Sequence, residues 1–134
     1  MQKKKLSNKK NWKAILSPIE YEVMREKGTE KPFSGTYNAH FEEGTYSCKG
    51  CNSDLFDSTM KFESHCGWPS FDNEIEGDKI NKIEDSSFGM LRTEIVCNNC
   101  GSHLGHIFND GPTATNLRYC VNSISINFIK KPQK

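Results

Sequence analysis

Four cysteines in two C-x-x-C pairs, Cys48-Lys49-Gly50-Cys51 and Cys97-Asn98-Asn99-Cys100, restrict this chain more than any other feature. Two residues between thiols let one tight turn aim both sulfurs at a common point. Two such turns complete a tetrahedral four-sulfur shell, the geometry preferred by structural Zn²⁺. Gly50 and Gly101 suit turns whose backbone must approach the sulfurs closely. Residues 52–96 separate the pairs, more than an ordinary zinc ribbon allows, so the two knuckles are expected to join distant parts of a larger sheet. Local redox dithiols or a disulfide framework are the alternatives. Duplication of the pair favours the metal, as does a start with no apolar run of the secretory kind. A closed four-sulfur site has no open position for substrate, so any chemistry must come from elsewhere.

The rest of the chain bounds what that chemistry can be. A length of 134 residues suits one domain, expected over residues 11–130. The net charge of +1 provides no field for nucleic acid or an acidic membrane. Lys3, Lys4, Lys5, Lys9 and Lys10 crowd residues 1–10, which read as a basic, disordered tail. No apolar run approaches the ~18 residues of a membrane span. The expected setting is the reducing cytosol, and the expected state a monomer.

Ser17-Pro18 followed by Glu20 is a helix start, with Ser17 as N-cap and Pro18 in the first turn. Ile19, Val23 and Met24 supply the apolar face, and Gly28 marks the stop. Beyond it, short β-branched and aromatic runs alternate with Gly, Asn, Asp and Pro, as at residues 44–47, 87–96 and 119–129. This predicts a mainly β fold with antiparallel sheets after a short N-terminal helical segment.

Cys66 and Cys120 remain outside the two pairs. Residues 117–128 read as one C-terminal strand, with Arg118, Cys120, Asn122, Ile124, Ile126 and Phe128 on one face and a more solvated face opposite. Arg118 would favour the Cys120 thiolate, yet an unpaired cysteine is as often a small core residue. The strand alone leaves both readings open. His103 and His106, three apart and just after the second knuckle, are free to act as acids or hydrogen-bond donors if the cysteines fill the metal shell. His40 and His65 read as surface or packing residues.

Taken in order, Gly67-Trp68-Pro69-Ser70-Phe71, His103-Leu104-Gly105-His106, Asp110-Gly111-Pro112, the run from Arg118 to Ser123 and both C-x-x-C pairs resemble methionine-R-sulfoxide reductases of the B type. Trp12, the run Arg25 to Glu30, Pro32 to Gly35 and Glu43 to Thr45 extend the likeness over roughly residues 12–128. The resemblance implies a fold of two antiparallel β-sheets with zinc on Cys48, Cys51, Cys97 and Cys100. It implies Cys120 as the nucleophile, Cys66 as the resolving cysteine of a Cys66–Cys120 disulfide, and thioredoxin as reductant. Trp68 would receive the substrate methyl group, and His103, His106 and Asn122 would surround the sulfoxide. Asp110, Arg118 and Phe108 would support or contact the substrate, free or protein-bound, without an organic cofactor. His65 departs from the family pattern, where glycine is common. A zinc-ribbon module binding protein or nucleic acid is the rival reading, but it leaves Cys66, Cys120, His103, His106 and Trp68 without roles and predicts a basic face that the net charge does not suggest.

Overall fold

The computed structural model describes residues 11–86, 89 and 91–131. The basic tail expected at 1–10 lies outside them, as do Ser87, Phe88 and Met90 of the strand expected at 87–96. Among the described residues, two short helices, α1 (Trp12–Ile15) and α2 (Pro18–Arg25), precede nine strands. The strands are β1 (Gly44–Cys48), β2 (Asp54–Asp57), β3 (Lys61–Phe62), β4 (Ser70–Phe71), β5 (Ile80–Asp85), β6 (Arg92–Cys97), β7 (His103–Phe108), β8 (Arg118–Val121) and β9 (Ile126–Lys130).

The expected helix begins where its sequence says. The Ser17 hydroxyl accepts from the Glu20 amide, and the Glu20 carboxylate accepts from the Ser17 amide, a reciprocal cap that satisfies two orphan donors. Val23 and Met24 are buried as expected, whereas Ile19 is exposed because it lies on the solvent side of the first turn. The additional helix α1 carries Trp12 into the core.

All strand pairs are antiparallel and form two sheets, β2-β1-β9 and β3-β4-β8-β7-β6-β5. Aromatic rings join them. Phe56 of β2 stacks on Phe71 of β4 with centroids 4.1 Å apart, and Tyr46 of β1 meets the same ring edge-on at 5.1 Å. Such pairs add to the stabilisation from burying their apolar area.

The C-terminal strand differs from its expectation. A 3-10 turn, Ser123–Ser125, breaks residues 118–130 into β8 in the large sheet and β9 in the small one. The face expected to be solvated is buried in β8: Tyr119 is 2 % exposed and Val121 fully covered. They cover the core because β8 is an interior strand of the six-stranded sheet, while Arg118 and Cys120 point to the opposite face and are only partly covered.

The two knuckles close the far end of the sandwich. Cys48 ends β1 in the small sheet and Cys97 ends β6 in the large one, so the cluster joins two sheets rather than two parts of one. The turns are built alike. Asn52 (φ 65°) and Gly101 (φ 80°) each follow a pair in left-handed backbone, and their amides donate to the carbonyls of Cys48 and Cys97, both at 2.7 Å. All four Sγ atoms lie within 4.8 Å of one another, with Cys48–Cys100 and Cys51–Cys97 at 3.6 Å. Four thiolates about 2.3 Å from a central ion would be about 3.8 Å apart, so the residues fit a tetrahedral metal. The helices lock onto this end: Arg25 stacks over Trp12 at 4.6 Å and donates to the Cys100 carbonyl and Ser102 hydroxyl, both at 3.1 Å.

Because this ion would tie the sheets together, metal binding and stability are linked. Cys97→Ser should abolish the bound ion, measured by elemental analysis, and lower the circular-dichroism melting temperature by on the order of 10 °C.

Candidate active site

Strand β8 brings the site together. Cys120 pairs across the backbone with Ser70 of β4 on one side and His106 of β7 on the other. Gly105 makes the second pairing close, since a Cβ there would collide with the Cys120 carbonyl. Pro69 accepts from the Val121 amide at 3.0 Å, anchoring the segment that follows Cys66. The result puts Cys66 Sγ 3.7 Å from Cys120 Sγ.

Each thiol is the other's strongest influence. The contact between them lowers Cys66, with the Ser64 and Ser70 hydroxyls and a backbone hydrogen bond from Trp68 adding to the effect against burial, to about 4. The same contact, with burial, raises Cys120, while Arg118 pulls it back. The two sulfurs therefore share one proton near neutral pH and titrate as a pair. In the resting arrangement the charge rests on Cys66, which accepts from Ser64 Oγ at 2.9 Å and contacts Ser70 Oγ at 3.4 Å. Arg118, on the same strand face as Cys120, favours the alternative thiolate.

The pair opens onto a cavity of about 270 Å³ lined by Cys66, Cys120, Trp68, His106, Phe108, Arg118 and Asn122, together with Thr29, Arg92, Gly105 and Val121. Trp68 stands with its indole N–H donating to the Glu30 carbonyl at 3.0 Å. Asn122 is a brace: its Oδ1 accepts from the Glu30 amide and its Nδ2 donates to the Leu104 carbonyl. The buried Glu30 carboxylate in turn accepts from the amides of Ser123 and Ile124 at 2.9 and 3.0 Å. One residue thus holds Trp68, Asn122 and the turn after β8 in a single frame.

His103 and His106 occupy different positions. His106 lines the cavity, its Nε2 bonded to Asp85 Oδ2 at 2.8 Å, and no partner among the described residues takes its Nδ1. Burial lowers the proton affinity of His106, and the Asp85 bond opposes that only partly. His103 sits behind the wall, its side chain 4 % exposed and its Nδ1 2.7 Å from Glu94 Oε2. Burial raises Glu94, but His103 and Lys27 together outweigh it and hold the carboxyl below its ordinary range. Asp110 likewise lies outside the cavity wall. It grips Arg118 through two bonds, Nε–Oδ1 at 2.8 Å and Nη2–Oδ2 at 3.0 Å, and Arg118 also stacks over Phe108 at 4.4 Å.

Thiol pair, indole, cavity histidine and arginine are thus brought together from the residues singled out in the sequence, while His103 and Asp110 act through neighbours. Sequence reasoning missed Asp85, Glu94 and Arg92, because acidic and basic side chains on short strands carry no local sign of which histidine they will face; Lys27 lay within the quoted likeness without being singled out. Thr29 lay within the quoted likeness but was not singled out. Position 65 adopts φ 62°, the left-handed region where glycine is unstrained and a side chain costs about 1 kcal/mol, which explains a glycine there and not the histidine.

The arrangement offers a polarised thiol pair, an imidazole and a flat aromatic wall around one small ligand. Comparison with known proteins agrees in kind. The SelR domain matches residues 16–130. A protein of Pseudomonas savastanoi pv. phaseolicola named peptide methionine sulfoxide reductase MsrB is 53% identical over 120 residues, 90% of this chain and 92% of the relative. Proteins of the same name from Methanosarcina mazei and Variovorax paradoxus are 50% and 54% identical, over 92% and 90% of this chain and 89% and 92% of their own. A domain match spanning most of the chain, with relatives sharing half its residues end to end, means that the chain belongs to the SelR-domain family.

Proposed function

We propose that the chain is a peptide-methionine (R)-S-oxide reductase that uses Cys120 and Cys66 in turn, within one catalytic domain over residues 11–130. The observation carrying this reading is the thiol pair 3.7 Å apart, set beside His106 at the mouth of a methionine-sized cavity. A sulfoxide oxygen leaves sulfur only once protonated, so the site needs a nucleophile and an acid on opposite sides of one ligand atom.

With substrate bound, the shared proton sits on Cys66 and the Cys120 thiolate, favoured by Arg118, attacks the sulfoxide sulfur. His106 gives its proton to the oxygen. The hydroxyl passes from the substrate sulfur to the Cys120 sulfur as the bond between the two sulfurs breaks, so that methionine leaves and Cys120 carries a sulfenic acid. The Cys66 thiol then attacks the Cys120 sulfur, the hydroxyl departs as water with the thiol proton, and a Cys66–Cys120 disulfide forms. Its bond length of about 2.05 Å requires an approach of about 1.6 Å from the resting contact. A dithiol protein of the thioredoxin class restores both thiols by exchange. Trp68 supplies the apolar wall for the methyl group, and the polar residues opposite bind oxygen, which separates the R from the S epimer. Phe108 and Arg118 close the substrate's other side.

Cys48, Cys51, Cys97 and Cys100 would hold Zn²⁺. Four thiolates complete its shell, and the metal serves to hold the sheets together. Thiol chemistry of this kind needs a reducing compartment such as the cytosol, and the substrate is either free methionine-R-sulfoxide or an oxidised methionine in a protein. No described helix is long and apolar enough to cross a membrane.

One equivalent of methionine-R-sulfoxide should yield a Cys66–Cys120 disulfide by mass spectrometry, with the S epimer leaving the thiols intact. Cys120→Ser should have no turnover; residual catalysis would refute the assignment. Cys66→Ser should complete one turnover, accumulate a trappable sulfenic acid and fail to recycle with thioredoxin.

The acid has its own signature. Burial favours neutral His106, so the protonated donor is lost as pH rises through a value below that of a free imidazole. Single-turnover rates should therefore fall toward alkaline pH, and His106→Asn should lose about 10²-fold or more while removing that limb. Trp68→Ala should raise KM and weaken epimer discrimination more than it slows the chemical step.

A further inference from the structure

Behind the cavity wall runs a continuous line of charged groups. The Lys27 ammonium lies 3.1 Å from Asp85 Oδ1 and 3.4 Å from Glu94 Oε1. The other oxygens of those two carboxylates hold His106 at 2.8 Å and His103 at 2.7 Å. The line therefore reads His106, Asp85, Lys27, Glu94, His103. Lys27 follows α2, Asp85 ends β5, Glu94 sits within β6, and both histidines belong to β7. Both carboxylates are largely covered, with side chains 3% and 10% exposed, and charge at that depth must be balanced locally.

Lys27 reaches this place through unusual backbone. Its φ is 63°, the left-handed region, which strains a residue with a Cβ. Glycine commonly fills such a position just past a helix end. Here glycine comes one residue later, at Gly28, whose amide donates to the Glu22 carbonyl at 2.9 Å. The chain keeps a lysine in the strained position, where its ammonium meets two buried acids at once.

We propose that Lys27 is a positioning residue for the reaction: by bridging Asp85 and Glu94 it joins the two histidine–carboxylate pairs into one unit and sets how readily His106 gives up its proton. His106 faces Asp85 from β5, Arg92 and Glu94 from β6, His103 on its own strand, and Cys120 and Arg118 from β8, with Lys27 beyond the two acids. Arg92 approaches Asp85 at 3.7 Å. With neutral imidazoles, the acids Asp85 and Glu94 are matched by the cations Lys27 and Arg92. Without the ammonium, the line has one positive charge fewer. An imidazolium then becomes its cheapest replacement, and His106 holds its proton more tightly. The Lys27 side chain is 42% exposed, so solvent screening keeps the change modest, on the order of two- to fivefold in proton affinity.

The proposal rests on His106 as the proton donor, and the test separates the two claims. In the metal-loaded full chain, imidazole resonances of His103 and His106 are titrated by NMR, and the pH dependence of single-turnover reduction of a methionine-R-sulfoxide peptide is measured alongside. Lys27→Met should move the His106 titration up by about half a pH unit and carry the alkaline limb of the rate with it. Lys27→Arg should restore both. Unchanged titrations in a folded Lys27→Met chain overturn the proposal. Shifted titrations with an unmoved rate limb leave the role of Lys27 in proton affinity standing and remove His106 as donor. Should Lys27→Met not fold, Lys27→Gln, which keeps a donor for one acid, carries the same expectations. A purely structural Lys27 would lower the melting temperature and leave the pH profile in place.

Discussion

The backbone register of β8 is the constraint on which the site depends. Pairing Cys120 with Ser70 on one side and His106 on the other sets the proposed nucleophile, the segment that follows Cys66 and the proposed acid in one row perpendicular to the strands. Directly opposed residues in antiparallel strands stand about 4.5–5.5 Å apart, the scale of one sulfoxide group. A slip of one residue would turn Cys120 into the core and expose Tyr119, exchanging a reactive thiol for a buried ring. The core prevents that slip, because Tyr119 and Val121 are almost completely covered. Packing that looks unrelated to chemistry therefore keeps the thiol at the cavity.

Two devices hold that row rigid at its ends. At the far end, the four cysteines bring the last residues of β1 and β6 together, where a bound ion would fix the small sheet against the large one. At the cavity, Glu30 accepts the amides that follow β8 and receives the Trp68 indole on its carbonyl. Its own carboxyl is raised by burial despite the bonds from Ser123 and Ile124, a sign that this brace is kept away from water. Rigid support of this kind suits a reaction in which sulfur, oxygen and methyl must be told apart in a small space.

Electrostatically the site has two separate reservoirs of charge. The thiol pair shares one proton across a sulfur contact, while the histidines lean on acids behind the wall. Asp110 and Arg118 form a third pair at the rim; Arg118 holds the Asp110 carboxyl below its usual range. That pairing keeps the guanidinium over Phe108 and on the Cys120 face. The acids behind the wall are met by Lys27 and Arg92, whereas the thiol pair keeps one negative charge that Arg118 faces.

Local chemistry made much of this readable in advance. Spacing and duplication pointed to Cys48, Cys51, Cys97 and Cys100 as a set, because one tight turn can aim both sulfurs of a pair at a common point. Removing that set singled out Cys66 and Cys120, and the ordered likeness attached Trp68, His106 and Arg118 to them. The Ser17 cap and the β-rich pattern were legible for the same reason: each depends on neighbours within a few residues. What tertiary structure decided lies farther along the chain. The break after Val121 that parts β8 from β9 is imposed by two sheets competing for one segment, and Ile124 and Ile126 gave no sign of it. The division of labour between His106 at the cavity and His103 behind it depends on Asp85 and Glu94, acids brought from other strands. Lys27 meets both only because α2 ends against the large sheet. Sequence determines which groups can react; long-range pairing determines which of them share a proton, because electrostatics acts through distance in space rather than along the chain.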